Sequence, residues 1–131
     1  MLATVGLSSG KITLHPRAGV VAIVVSVNGV PIRLTEERWG HILEYHDELA
    51  RLLDQILLTV AEPDMVFGSP RDIEENLVAI KMFSELVQYG LAEHLAVHYK
   101  EVSNEDGFIL TVFPMSANRV QKRYRLWRRL K

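Results

Sequence analysis

Cysteine is absent from all 131 residues, which excludes disulfides, thiolate nucleophiles and thiolate metal sites together. The lack is compatible with a reducing cytosol, and a cytoplasmic location is the expectation. No long apolar run occurs either. The longest, Gly19–Val27, falls well short of the roughly 18 residues a membrane-spanning helix needs. Its amino-terminal side carries no lysine-led region of a secretion signal, so none is read. Internal repeats, low-complexity tracts, Gly-rich phosphate loops, nucleophile elbows and dinucleotide fingerprints are all missing. What remains is ordinary globular composition, 48% hydrophobic and 24% charged, enough for one domain with its own core.

The net charge of -1 hides an asymmetry. The last 13 residues hold Arg119, Lys122, Arg123, Arg125, Arg128, Arg129 and Lys131 and no acid, a charge of +7; the preceding 118 set eight basic residues against sixteen acids, a charge of -8. Such a block suits a polyanion partner, or a solubilising tail that neutralises an acidic body.

The segment RLTEERWGHILEYHDEL (Arg33–Leu49) predicts a helix from Glu36 to His46, with Thr35 as N-cap and acids in its first turn. At about 100° per residue, Trp39, Ile42 and Leu43 form an apolar stripe. His46 falls within it, and Arg38, His41 and Tyr45 lie along its edge. A core-facing imidazole is either a satisfied structural group or part of a site.

Residues 1–18 read as a loosely ordered leader, with or without a short strand at Lys11–Leu14. Gly19–Val27 and Val30–Leu34 read as a hairpin, and Asn28-Gly29 suggests a type I′ turn. A second helix is expected from about Glu48 to Ala61, with Leu49, Leu53, Ile56, Leu57 and Val60 on one face, ending before Pro63. Met65–Phe67 is a short strand. Asn76–Phe83 fits helix or strand, and its β-branched residues favour strand. Ser84–Leu91 is a wide connection or one helical turn. His94–Ser103 and Phe108–Pro114 are strands joined by the NEDG turn, and a basic helix begins near Asn118. The expected architecture is α+β: an N-terminal β-hairpin and two helices, an antiparallel meander of about four strands, then a basic C-terminal helix.

With these residues in it, that plan resembles the phage-type branch of the barnase–EndoU–colicin–RelE nuclease fold. RLTEERWGHILEYHDEL resembles the branch's arginine–tryptophan–histidine helix and histidine–acid junction. PDMVFGS with NLVAIKMF resembles its first two sheet strands. HLAVHYKEVSNEDGFILTVFPMS followed by RYRLWRR resembles its last hairpin and cationic exit. The resemblance spans Arg33 to Arg129. It implies a barnase/RelE-like domain over residues 19–131, with a basic tail at 118–131. It also implies a metal-independent endoribonuclease, of toxin type in some members, acting on RNA with no cofactor and opposed by an antitoxin or inhibitor protein. One departure stands out: SELVQYGLAE, between the middle strands, is more apolar and acidic than an RNA groove would favour.

Metal-independent RNA cleavage requires a base for the 2′-hydroxyl, cations for the phosphate and an acid for the leaving oxygen. Histidine serves either proton-transfer role because its ordinary pKa is near neutrality. The candidate catalytic set is His46, His41, Lys81, Lys100, Thr111 and Arg119. The candidate nucleic-acid contacts are Arg38, His98, Lys122, Arg123, Arg125, Arg128 and Arg129. Each has a plainer role: Lys81 and Lys100 as edge-strand lysines, Thr111 as a strand former, and His41, Arg38 and Tyr45 as a solvated helix flank. Tyr99, Tyr124 and Trp127 either stack on bases or pack the tail against the sheet. His94 and His98 have the i, i+4 spacing of a helical zinc pair, but on a strand they stand roughly 13 Å apart, so no metal site is expected. The alternative to an enzyme is a non-catalytic module binding nucleic acid or protein through the same surface. A third reading is a structural protein whose acidic body pairs with a neighbour's basic tail.

Overall fold

Period-two runs rich in Val and Ile supply the strands, and one seam between distant strands joins them into a single sheet. The computed structural model describes residues 10–71 and 76–131. The first nine residues of the expected leader lie outside that range. In chain order come β1 (Ile12–Arg17), β2 (Val20–Val25), β3 (Pro31–Thr35), α1 (Glu36–Tyr45), a 3-10 helix (Asp47–Arg51) and α2 (Leu53–Ala61). They are followed by β4 (Met65–Gly68), β5 (Asn76–Met82), a second 3-10 helix (Ser84–Tyr89), β6 (His94–Ser103), β7 (Asp106–Met115), α3 (Ala117–Arg123) and β8 (Arg128–Arg129). The fold is α+β, on a mixed eight-stranded sheet ordered β1-β2-β3-β7-β6-β5-β4-β8. Among the described residues, no helix is long and apolar enough to cross a membrane.

The expected meander is present. β5 pairs antiparallel with β6 from Asn76↔Lys100 to Met82↔His94, and β6 pairs antiparallel with β7. With β4 antiparallel to β5, the meander runs over four strands, but it is part of a mixed sheet of eight rather than a sheet of its own. β3 lies parallel to β7 through two registered pairs, Ile32↔Gly107 and Arg33↔Phe108, and so adds the first hairpin to the meander. At this seam Gly107 is buried, and a Cβ there would stand 2.5 Å from Ile32 Cδ1 and overlap the Lys100 carbonyl oxygen.

Four local expectations also change. The short strand offered at Lys11–Leu14 is longer and belongs to the sheet: β1 runs Ile12–Arg17, and Ile12 pairs with Val24 and is fully buried. A register shift between Leu14 and Arg17, with His15 at φ 50, disguises its alternation. The first hairpin turn is not type I′, which needs positive φ at both central residues. Only Gly29 is left-handed, at φ 80; Gly29 N–H donates to Ser26 O and Ser26 N–H to Val30 O. The second helix does not begin at Glu48. His46 at φ -142 and Leu52 at φ -113 interrupt the chain around a 3-10 turn, so Leu52 is fully buried and Leu53 only partly. The basic tail is not one helix: α3 has seven residues, and the chain then turns so that β8 pairs Arg128 with Gly68 and Arg129 with Phe67.

The sheet carries a core on each face. On one, α1 and α2 cover Val24, Ile32, Leu34, Leu95, Val97 and Val112. On the other, Val120 and Tyr124 of the tail cover Val78, Ile80, Ala96 and Met115, with Phe67, Phe113 and Trp127 packed around them. Burying an apolar side chain of this size stabilises by about 1.5–3 kcal/mol. The tail aromatics therefore pack, as one of the two sequence readings held.

Candidate functional site

A cavity of about 450 Å³ opens where β3 leaves β7 and the chain enters α1. Thr35 sets the start of α1 by accepting a 3.1 Å hydrogen bond from Arg38 N–H, with Glu36 and Glu37 favouring the positive end of the helix dipole. Chemistry-bearing side chains on one side of the helix then face the cavity: Arg38, His41 and Tyr45. Ile42 is buried, and Trp39 and Leu43 pack partly against the core, as the stripe requires.

His46 departs from its expected place. It is the C-cap, just past the helix, with its N–H still bonded to Ile42 O. Its ring lines the cavity, stands edge-on to Phe113 at 5.9 Å and remains 29% exposed rather than sealed in the core. Nδ1 lies 3.1 Å from Glu48 Oε1. A carboxylate there favours the tautomer protonated at Nδ1 and leaves Nε2 as the acceptor. His41 lies more openly, with Nδ1 3.7 Å from Glu44 Oε2.

The opposite wall comes from β7. The β6–β7 register slips between His98↔Thr111 and Tyr99↔Ile109, leaving Leu110 as the extra residue of a bulge. Leu110, Thr111 and Phe113 all line the cavity as a result. Beyond Phe113 sits an aromatic cluster. His98 Nε2 is 2.6 Å from Tyr124 Oη, and its ring meets Phe113, Tyr124 and Trp127 edge-on or tilted at 5.5–5.8 Å. Burial first, and Arg123 second, lower the His98 pKa to about 4. Burial pushes Tyr124 up to about 12 against the opposing influence of Arg123. Both groups are therefore neutral at pH 7. His98, a candidate nucleic-acid contact in the sequence, sits as an uncharged member of this cluster. Arg123 lies over Phe113 at 5.0 Å and brings a cation to the cavity rim.

Arg38, His41, His46 and Thr111 thus share one cavity, whereas three other candidates lie elsewhere. Lys81 donates to Glu62 O at 2.8 Å and sits 3.6 Å from Asp64, which ties it to the β4 entry. Lys100 is near the far end of β6, opposite Asn76 and Phe108. Arg119 is exposed on α3. Lys122, Arg123 and Arg125 line a second cavity of about 350 Å³ together with Arg71 and Trp127. Arg129 lies over Phe67 at 5.6 Å and also donates to Lys131 O. Arg128 is held in β8.

Sequence reasoning missed Glu48, Phe113 and Arg71 as site residues. The acid pair directly after His46 was the available signal for Glu48; nothing local pointed to the others. Among the described residues, no three potential metal-ligating side chains gather. No family model, curated protein or solved structure matches the chain.

Proposed function

We propose that this chain is a metal-independent endoribonuclease on a barnase/RelE-like version of the α+β fold. The observation that carries the reading is the convergence of His46, His41, Arg38 and Thr111 on one open cavity from two separate elements. Glu48 holds Nδ1 of His46, so Nε2 accepts the proton of a ribose 2′-hydroxyl. The 2′-oxygen then bonds to phosphorus, forming a 2′,3′-cyclic phosphate. The bond to the 5′-oxygen breaks, and that oxygen takes its proton from protonated His41. Arg38 and the Thr111 hydroxyl hold the non-bridging oxygens, with Arg123 at the rim, in place of the sheet lysines.

Incubating short RNAs with the protein in excess chelator tests this reading. Positioned acid–base catalysis is worth about 100- to 10,000-fold, so His46→Ala and His41→Ala should each lower cleavage at least about 100-fold. His46 is only partly buried, so its variant is expected to remain folded, as circular dichroism would verify. Cleavage surviving in both variants would remove the mechanism. A second reading, a non-catalytic RNA-binding module, draws on the separation of Lys81, Lys100 and Arg119 from the cavity. Tight RNA binding without cleavage by the unaltered chain would favour it.

A further inference from the structure

The seven cations of the tail are not equivalent. Arg129 and Lys131 fasten the chain end: Arg129 donates to Lys131 O, and Lys131 Nζ donates to Pro63 O at 2.6 Å. Arg128 is placed in the sheet beside Gly68. Lys122, Arg123 and Arg125 instead converge on the 350 Å³ cavity, where Arg71 meets them from the loop after β4. No carboxylate is among the described residues lining it. Trp127, partly exposed, lines this cavity and also an adjoining one of about 370 Å³.

Position links this cavity to the histidines. Arg123 lines the basic cavity and lies over Phe113, and Phe113 is a wall of the histidine cavity. A ligand crossing Arg123 therefore passes from one to the other. Four cations beside an accessible indole suit a chain that alternates phosphates with planar bases: cations neutralise phosphates, and any base stacks on an aromatic ring.

We infer that Arg71, Lys122, Arg123, Arg125 and Trp127 form a subsite for the nucleotide flanking the scissile one in single-stranded RNA. The subsite rests on the ribonuclease reading for its register, but not for its ability to bind. Arg71 and Lys122 grip its phosphate, and Trp127 stacks with its base.

A 2′-O-methylated hexanucleotide, which lacks the attacking hydroxyl, separates binding from cleavage. Titrated into Trp39→Phe protein, whose only remaining tryptophan is Trp127, it should quench the fluorescence. Arg71→Ala combined with Lys122→Ala removes two exposed cations. Binding should weaken roughly tenfold at low salt, and the slope of log K against log salt should fall by about 0.7 for each phosphate left without its cation. Arg17→Ala with Arg51→Ala removes equal charge from exposed positions outside the cavity and should leave the slope unchanged. No quenching of Trp127, an unchanged slope in the Arg71/Lys122 variant, or equal weakening in both pairs would each overturn the subsite. Quenching and a reduced slope without cleavage of the unmethylated hexamer would uphold the subsite and sink the ribonuclease reading. Cleavage that ignores the Arg71/Lys122 substitutions would do the reverse.

Discussion

Replacing Gly107 with alanine probes the seam on which both the fold and the cavity depend. A Cβ at this buried position would overlap the Lys100 carbonyl oxygen of the neighbouring strand and stand 2.5 Å from Ile32 Cδ1 of β3. Ile32 can rotate, but a backbone carbonyl in a paired strand cannot move without distorting β6. Overpacking of a well-packed interior costs about 1–3 kcal/mol, and backbone resistance puts this site at the upper end. With roughly 5–15 kcal/mol as the whole stability of a typical domain, that is a substantial fraction. The destabilisation should appear in urea unfolding followed by circular dichroism. Gly40→Ala is the matched control, because nothing lies within 4 Å of its Cβ and it sits exposed inside α1. The same chemical change should stabilise there by about 0.5–1 kcal/mol. A Gly107→Ala protein within about 0.5 kcal/mol of wild type, roughly the effect of a neutral surface change, would refute the steric reasoning.

Thr35→Ala should cost about 1 kcal/mol in the same unfolding assay by removing the cap on Arg38 N–H, and Thr35→Ser should recover most of it. His98 binds its proton more weakly folded, at about 4, than unfolded, at 6.5. Its stabilising contribution is therefore fully present above pH 6.5 and is lost as pH falls toward 4, with a slope of up to about 1.4 kcal/mol per pH unit. Stability measured across that window should lose this component in His98→Gln. Deleting Val120–Lys131 should cost at least about 3 kcal/mol, since it removes buried Val120 and Tyr124 as well as β8. A truncated protein as stable as the full chain on thermal unfolding would contradict the second core.

The meander and α1 were legible because their signals are local: alternation in HLAVHYKEVS, the NEDG turn, and a Thr cap before an apolar stripe. The seam was not legible, because pairing of Ile32 with Gly107 leaves no mark in either segment alone. β8 escaped notice because two exposed arginines show no apolar alternation. Residue chemistry singles out Arg38, His41, His46 and Thr111, but the reason they meet is tertiary. His46 sits at a helix end that periodicity carried through, and a bulge at Leu110 turns Thr111 toward it. Lys81 looked out of place on an apolar strand; its partner at Glu62 belongs to the turn after α2, beyond the reach of a strand pattern.

The cavity is assembled from two segments that are made far apart in time. His46 leaves the ribosome sixty-five residues before Thr111, and β7 must be made before β3 has a partner at the seam. Until then α1 has no facing wall. A nascent chain still at work on the meander therefore carries both cavity histidines with nothing opposite them. Whatever the cavity does, it starts only once Leu110, Thr111 and Phe113 have emerged and β7 is in place.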